Sequence, residues 1–503
     1  MTRKIMFFLM LILATLNLFG QGKLDRNKTP FTQLKQTINQ IIETTGQAEV
    51  VLNNGTKQKG YLIEIKDGGF ILLNRENGTA NYFLYSQIKQ IKPASKVANF
   101  SKVLKNPSLK TYWDNFFARN LNESAVGYVY AIYQNESPLA VGVYGYNKFP
   151  QFPKDSGILM SPQTRIQLAS VSKPITAIAL LHAMEKKGIS PDTKFWTLLK
   201  AHFPDLTAPG KGVEDITIAQ LLTHTSGYPF GYVQSPRIEN LRELLAKPVP
   251  NPSGKDSVYS NINFSIARTL IEIITGKDYE KYVKEEIFRP AGVEKMSLQI
   301  NENEASLAYQ FGEFTGAPLA IDFRDGGGAY GWYATAEEVV KVFGLVRSNK
   351  YLSPEMTKAM FERKLGWGTS ETRAGTAYRH DGQWVIAENR GVRTAIVLLP
   401  DNIVATLLIN TDSKMSPGEL LVRGFNENLP RIYSSNLDKS TKLIRVEIPL
   451  QTDEVRCTTN NTMPNNKSPL YFRPIQVQIP ATIKCQGFLA GNPITFVNTL
   501  QIS

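Results

Sequence analysis

The residues with the clearest chemical potential lie together in the segment Ser170-Val171-Ser172-Lys173. A serine hydroxyl is a poor nucleophile near neutral pH, so a hydrolase must place a base beside it and donors where an oxyanion forms. The chain from Ile175 to Met184 is apolar almost all round, which predicts a buried helix that begins near Ser170. Lys173 follows three residues after Ser170 and is therefore expected on the same helix face.

This segment predicts nucleophilic catalysis with Lys173 as a proton acceptor. Burial among apolar neighbours disfavours the ammonium form of a lysine, and a neutral amine can take the serine proton. At a helix N-terminus, the backbone N–H of Ser170 would be available to an oxyanion. A structural alternative also fits, in which Ser170 caps the helix and Lys173 extends to solvent.

Two further segments carry groups that such a reaction needs. Tyr259 and Asn261 form a Tyr-x-Asn turn before a second apolar helix, Phe264–Ile274. A phenol near a cationic lysine can shed its proton and act as a general base, whereas the alternative is a tyrosine half-buried in a turn. The segment His380-Asp381-Gly382-Gln383 precedes a hairpin, where a strand edge could supply a second oxyanion donor, the N–H of Gln383.

Taken in this order, the three segments resemble the serine β-lactamase and penicillin-binding-protein superfamily, and most closely its class C-like branch of esterases, D-aminopeptidases and β-lactamases. The resemblance includes the stretch ITIAQLLTHTSG at residues 216–227, Gly327-Gly328 and Leu365-Gly366-Trp367-Gly368, and it covers about residues 109 to 435. It implies an α+β fold in which an antiparallel sheet is flanked by helices and accompanied by a helical subdomain.

The resemblance also implies roles for individual residues. Ser170 becomes the nucleophile, Lys173 and Tyr259 become its proton-handling partners, and Asn261 becomes a ligand for a substrate amide. His380, followed by Gly382 and Gln383, becomes the residue of the third motif. His224, in the LLTHTSG stretch, is interpreted as structural, tying a turn.

The third motif departs from the pattern of most relatives. β-Lactamases and carboxypeptidases usually carry a lysine where His380 stands, and that lysine helps to hold the substrate carboxylate. Asp381 would add a negative charge if it pointed inward, and Arg379, Arg390 and Arg393 are the candidates to compensate that charge. The histidine resembles D-aminopeptidases and esterases of the branch.

Four segments are predicted along the 503 residues. Residues 1–22 combine a basic start with an apolar run from Ile5 to Phe19, which is typical of a signal peptide and predicts a periplasmic or secreted protein. Residues 23–97 predict one helix, Thr32–Thr45, and five short strands that resemble a small Sm-like or SH3-like barrel. Residues 98–435 form the hydrolase domain, and residues 436–503 alternate as in a small β appendage.

Within the hydrolase domain, antiparallel hairpins are expected near both ends of the segment. The first hairpin is predicted over Val126–Tyr133 and Pro138–Tyr144, and the second over Val392–Leu399 and Val404–Asn410. A closing helix is predicted over Pro417–Asn428. This order favours an α+β sheet built from distant parts of the chain.

Composition excludes several other function classes. The four histidines show no metal-ligand spacing, and phosphate-binding glycine loops are missing, so no metal or cofactor is expected. The net charge of +13 indicates a solvated basic surface or adhesion to an anionic envelope. Cys457 and Cys485 are either bridged or two buried thiols.

The sequence therefore predicts a serine hydrolase that acts on esters or on D-amino-acid amides and peptides. The alternatives are a β-lactamase or D-Ala-D-Ala carboxypeptidase, and a non-catalytic envelope-binding protein that uses the same fold. The expected partner is a small-molecule or short peptide substrate, without nucleic acid and without a stable membrane span once the signal is cleaved. RNA binding through the barrel is a further alternative, which the predicted export signal disfavours.

Overall fold

The structure is a computed structural model of the chain. It describes residues 47–52, 54–65, 69–74, 79–84, 88–93, 108–121, 125–150, 157–231, 238–447, 452, 454–489 and 491–503. The predicted signal peptide and the predicted helix Thr32–Thr45 lie outside these ranges. None of the helices found in these ranges has the length and apolar character needed to cross a membrane. The chain divides into two compact units, residues 1–106 with 114–123, and residues 107–113 with 124–503.

Five short strands lie between residues 47 and 93 of the first unit. They are β1 Gln47–Leu52, β2 Lys57–Ile65, β3 Gly69–Asn74, β4 Thr79–Leu84 and β5 Ile88–Pro93. Their antiparallel order is β4-β3-β2-β1-β5, so the first strand pairs with both the second and the last. Ala48, Val50 and Leu72 fill the interior. The five predicted strands are therefore present, and they form one antiparallel sheet.

The second unit is organised around a large sheet. Its strands and a separate two-stranded pair are β6 Gly127–Gln134, β7 Ser137–Lys148, β8 Ile158–Leu159, β9 Ile166–Gln167, β10 Leu307–Gln310, β11 Ala317–Pro318, β12 Tyr333–Ala334, β13 Gly368–Thr372, β14 Gly375–Val385, β15 Gly391–Leu399, β16 Ile403–Ile409 and β17 Thr411–Asp412. The main path runs β13-β14-β15-β16-β6-β7-β8, with every neighbouring pair antiparallel. Pairing of β6 with β16 joins the two predicted hairpins in one sheet, as expected.

Ten α-helices occur in the described ranges, and those that lie wholly in the second unit cover this sheet and build the helical part of the domain. The ten are α1 Leu109–Leu121, α2 Ser172–Glu185, α3 Trp196–Leu199, α4 Ile218–Leu222, α5 Ile238–Leu245, α6 Ile262–Thr275, α7 Tyr279–Val283, α8 Ala336–Gly344, α9 Pro354–Glu362 and α10 Pro417–Asn428. Helix α2 is buried on all sides, which is why its sequence lacks a polar face, and it packs against α6. The predicted closing helix is α10, with the bounds expected from the sequence.

The C-terminal segment is a small β module, as predicted. Its strands are β18 Arg431–Asn436, β19 Thr441–Glu447, β20 Glu454–Thr458, β21 Ile475–Gln478, β22 Ala481–Leu489, β23 Asn492–Pro493 and β24 Asn498–Ile502. Cys457 and Cys485 lie directly opposite each other on β20 and β22 and form a disulfide. The alternative of two free thiols is therefore wrong.

Candidate active site

Ser170 lies in a tight turn between the sheet and α2. Residues Ala169–Val171 form one 3₁₀ turn, and α2 begins at Ser172. Ala169 has a φ of 48°, a left-handed conformation that costs a residue with a side chain about 1–2 kcal/mol. The side-chain carbonyl of Gln167 accepts a hydrogen bond from the N–H of Ala169 at 2.6 Å. Gln167, which sequence reasoning missed, therefore helps to hold the turn that presents Ser170.

Lys173 is buried against the nucleophile turn. Its Nζ lies 3.0 Å from Ser170 Oγ and 2.9 Å from the carbonyl oxygen of Ala329, and the residue has no exposed surface. The ammonium position also lies 4.7 Å from the ring centroid of Tyr259. Among the described residues, no carboxylate forms an ion pair with Lys173. Burial therefore lowers the pKa of the Lys173 amine well below its usual value, and the alternative of a solvent-exposed lysine is wrong.

A glycine allows Ala329 to reach Lys173. A Cβ on Gly328 would lie 2.4 Å from the carbonyl oxygen of Phe264 on α6, so only a glycine fits there. The carbonyl of Gly328 accepts a hydrogen bond from Thr176 on α2 at 2.6 Å. The Gly327-Gly328 signal in the sequence therefore marks a close backbone approach that places an acceptor on Lys173.

Tyr259 completes the group around the nucleophile. Its ring centroid lies 4.7 Å from Lys173 Nζ, its phenol faces the Ser170 side chain, and 38% of the residue's surface is exposed. Burial of the phenol raises its pKa above the usual value, and this outweighs the opposite effect of Ser170. Burial therefore disfavours the phenolate form, and the neighbouring lysine, which is itself disfavoured as a cation, does little to offset this.

His224 contacts the Tyr259 ring and the backbone next to it. Its Nδ1 lies 3.1 Å from the N–H of Ser260, which donates to it, and its ring centroid lies 4.4 Å from that of Tyr259. The backbone carbonyl of His224 accepts from the N–H of Val258 at 2.9 Å. Burial, with Lys173 next in effect, lowers the pKa of His224 well below its usual value, in keeping with Nδ1 as an acceptor. His224 ties the turn that carries Tyr259, as predicted.

The third motif lies on β14, directly against the nucleophile turn. A Cβ on Gly382 would lie 2.5 Å from the carbonyl oxygen of Leu168 and 3.1 Å from the Cβ of Ala169. His380 lies on the same side, with its ring centroid 6.3 Å from that of Tyr259. Burial lowers the pKa of His380 to about 3. This histidine is therefore uncharged near neutral pH and cannot replace a lysine as a cation.

Asp381 points away from the nucleophile. Its Oδ1 accepts hydrogen bonds from Ser416 Oγ at 2.8 Å and from the N–H of Gly418 at 2.9 Å, both at the N-terminus of α10. Alternation along β14 explains the direction, since successive side chains of a strand point to opposite faces. The carboxylate thus stabilises the start of a helix, and an inward negative charge does not arise.

The three arginines considered as partners for an anionic substrate are each beside a carboxylate. Arg379 lies 3.6 Å from Asp381 and 3.7 Å from Glu419. The other two pairs are Arg390 with Glu388 at 2.5 Å and Arg393 with Asp412 at 2.8 Å. The structure therefore shows no compensating cation at these three positions.

Asn261 and Gln383 differ in their environments. Asn261 precedes α6, and its Oδ1 is buried without a hydrogen-bond partner among the described residues. The Gln383 side chain is exposed and donates to Asp412 at 3.0 Å, while its backbone belongs to β14 next to Gly382. A buried acceptor without a partner costs about 1–3 kcal/mol, so Asn261 is suited to receive an N–H from a bound molecule.

Comparisons with known proteins agree with this architecture. Residues 113–423 match the family model described as Beta-lactamase. Monacolin J acid methylbutanoyltransferase from Aspergillus terreus is 31% identical over 172 residues, which are 29% of this chain and 40% of that protein. Acyltransferase mokF from Monascus pilosus is 27% identical over 248 residues, which are 41% of this chain and 59% of that protein. The chain thus spans less than two thirds of each relative.

A solved structure shows the same fold. EstCE1, a hydrolase with promiscuous acyltransferase activity, superposes with a TM-score of 0.50 at 18% identity, covering 63% of this chain and 97% of that one. The family match extends over more than half of the chain and includes all three predicted motifs. On these grounds the chain belongs to the Beta-lactamase family.

Proposed function

We propose that this protein is a serine hydrolase that forms an acyl-enzyme on Ser170 from uncharged esters or from amides and peptides of D-amino acids. The observation that carries the proposal is the 3.0 Å contact between Lys173 Nζ and Ser170 Oγ in a site that excludes water from the amine. A lysine without a carboxylate partner at that position is a base in direct contact with a nucleophile.

Acylation begins with proton transfer from Ser170 to the neutral amine of Lys173. As Oγ attacks the substrate carbonyl carbon, the electron pair of the C=O bond moves to oxygen, and the backbone N–H groups of Ser170 and Gln383 stabilise the oxyanion. The oxyanion then re-forms the C=O bond, and the bond between the carbonyl carbon and the leaving oxygen or nitrogen breaks. Tyr259, protonated until this step, gives its proton to that leaving atom and recovers one from Lys173. Water then attacks the acyl-enzyme with the same groups in reverse roles and releases the acid.

The charges around the site support uncharged substrates. His380 is neutral, and Arg379, Arg390 and Arg393 already face carboxylates, so a substrate carboxylate finds no cation among these four residues. Penicillins and D-Ala-D-Ala peptides carry such a carboxylate and are therefore poorer substrates. The buried Oδ1 of Asn261 favours substrates with an amide N–H beside the scissile bond.

The test is covalent labelling followed by a substrate panel. A fluorophosphonate probe should label the wild type and the control variant Ser190→Ala, which alters an exposed serine, but not Ser170→Ala. The panel comprises p-nitrophenyl esters, D-Ala-p-nitroanilide and nitrocefin, with the lowest kcat/KM expected for nitrocefin. Equal labelling of wild type and Ser170→Ala would overturn the proposal and favour a non-catalytic binding protein.

Transfer of the acyl group to an alcohol is a second candidate. Two relatives are named acyltransferases, and the structural neighbour is described as a hydrolase with promiscuous acyltransferase activity. An acceptor alcohol added to the ester assay would then give a new ester at the expense of the acid. Release of acid alone at every alcohol concentration would exclude this activity.

Export to the periplasm or medium is part of the same proposal. It rests on the basic and apolar pattern of residues 1–22. N-terminal sequencing of the protein recovered from the envelope or medium should begin near residue 23.

A further inference from the structure

A loop in the C-terminal module presents apolar side chains to solvent. It connects β20 to β21 and carries Met463, Leu470 and Phe472, which are 52%, 42% and 75% exposed. The module has its own closed core without them, formed by residues such as Val455, Ile483 and the two bridged cysteines. These three side chains lie outside that core, and large apolar side chains exposed on one loop are suited to a binding surface.

The loop is held in place by backbone hydrogen bonds on both sides of Leu470. The N–H of Cys457 donates to the carbonyl of Pro469 at 3.0 Å, and the N–H of Tyr471 donates to the carbonyl of Val455 at 2.7 Å. The Tyr471 ring packs against the core of the module. Because neighbours in an extended segment point to opposite sides, Leu470 and Phe472 project away from that core. The backbone hydrogen bonds on both sides of Leu470 therefore keep these two side chains exposed.

The sequence from Arg456 onward carries charged side chains of positive sign only. No aspartate or glutamate follows Glu454 in the sequence, and Glu454 itself pairs with Arg456 at 2.7 Å. Lys467 and Arg473 are exposed, and neither pairs with a carboxylate among the described residues. The Arg473 guanidinium lies 5.5 Å from the Phe472 ring centroid, which joins a cation to an apolar group.

We propose that this loop, which we call the 463–473 loop, binds the surface of an anionic lipid bilayer. Phe472 and Leu470 enter the boundary between headgroups and acyl chains, while Lys467 and Arg473 contact lipid phosphates. A polysaccharide or other soluble polyanion would engage the cations but would offer no apolar environment to Leu470. The net charge of +13 on the whole chain adds long-range attraction to the same surface. The loop is thus a membrane anchor that works without a spanning helix.

Vesicle co-sedimentation of the full chain tests this proposal. Wild-type protein should bind vesicles of phosphatidylcholine and phosphatidylglycerol more tightly than vesicles of phosphatidylcholine alone. The double variant Leu470→Ser/Phe472→Ser should lose affinity about tenfold or more, and so should Lys467→Glu/Arg473→Glu. The matched control is Phe311→Ser. Phe311 is also an exposed phenylalanine beside a cation, since it is 38% exposed and Lys414 Nζ lies 5.5 Å from its ring centroid. This variant should bind like the wild type.

A fluorescence measurement keeps the test valid if a serine variant unfolds. The variant Phe472→Trp places a tryptophan in the loop. After subtraction of the wild-type spectrum, its emission should shift to shorter wavelength when anionic vesicles are added, whereas that of Phe311→Trp should not shift. All variants share the apolar run Ile5–Phe19, so differences between them report the loop. The proposal is overturned if Phe472→Trp shows no shift, or if only the charge variant loses binding, which would indicate a polyanion instead of a membrane.

Discussion

Arg165 and Lys173, both buried in the second unit, differ in what surrounds their charge. Arg165 donates to Glu338 at 2.8 Å and to the carbonyl of Lys295 at 2.8 Å. Lys173 contacts only neutral groups in the described part of the chain, among them Ser170 and the carbonyl of Ala329. One buried cation is therefore neutralised by a partner, and the other is not.

The difference follows from the chemistry of the two side chains. A guanidinium does not lose its proton inside a protein, so a buried arginine needs a carboxylate. Glu338 supplies it and also completes the capping box of α8 with Thr335, which makes Arg165 a structural residue. An amine can give up its proton, so the unfavourable burial of Lys173 is relieved by neutralisation. The same burial that would destabilise a cation produces a base beside Ser170.

The largest expected effect comes from Lys173→Met. The variant should lose about 10³-fold or more in kcat/KM on a p-nitrophenyl ester, because the general base is gone. Its free energy of unfolding should stay the same or rise at pH 7. Between the lowered pKa of Lys173 in the folded protein and 10.5, the unfolded chain binds a proton that the folded protein lacks. In this pH range the lysine therefore lowers the free energy of unfolding by about 1.4 kcal/mol for each pH unit below 10.5.

The matched variant is Arg165→Met. It leaves Glu338 partly buried without its cation and should lose about 3–5 kcal/mol in denaturant unfolding, while the folded fraction keeps its kcat. If Lys173→Met were instead destabilised as strongly as Arg165→Met, Lys173 would be a charged and paired residue, and the contrast between the two would fail.

The pH dependence of kcat/KM separates Lys173 from His380. Activity should fall tenfold per pH unit as the pH drops below the lowered pKa of Lys173, because protonation removes the base. His380, with a pKa of about 3, is already neutral above pH 4 and should contribute no limb there. The profile of His380→Asn should therefore run parallel to that of the wild type. A limb near pH 6 that disappears in this variant would contradict the assignment.

A smaller effect is expected where a neutral group positions the catalytic tyrosine. His224 has a φ of 60° and accepts through Nδ1, and asparagine tolerates the same backbone and offers an acceptor at a similar distance. His224→Asn should lower kcat about threefold and His224→Ala about 100-fold, with KM little changed, since general acid–base catalysis depends on the geometry of Tyr259. Equal losses in the two variants would show that the acceptor does not matter.

The smallest effect is expected for Asp381, an anion whose charge is stabilised by hydrogen bonds. Asp381 receives two hydrogen bonds at the start of α10, so Asp381→Asn should reduce the free energy of unfolding by about 1 kcal/mol and leave kcat/KM for a neutral ester unchanged. Thermal unfolding and the ester assay check both halves. Faster hydrolysis of anionic nitrocefin by this variant would show that the carboxylate acts on the substrate.

Much of the fold followed from local patterns. The apolar run after Ser170 predicted α2, and the alternating stretches at both ends of the domain predicted hairpins that do share one sheet. The candidate residues Ser170, Lys173 and Tyr259 also meet in the structure. These features were predictable because residue spacing in helices and strands decides which side chains share a face.

Local patterns could not predict which groups neutralise which charges. The carbonyl of Ala329 reaches Lys173 only because Gly328 lets the chain approach α6 closely, and that contact joins residues more than 150 positions apart. The raised pKa of Tyr259 has the same origin, since it depends on burial by distant elements.

The sequence by itself determined the family motifs, the helix that carries Lys173 and the order of the catalytic residues along the chain. Tertiary structure alone decided that Lys173 has no carboxylate partner among the described residues, that Asp381 turns toward α10 and that Leu470 and Phe472 remain outside the C-terminal core. The physical reason is that residue types and spacing set local geometry, whereas burial and charge pairing depend on every element that packs around a group.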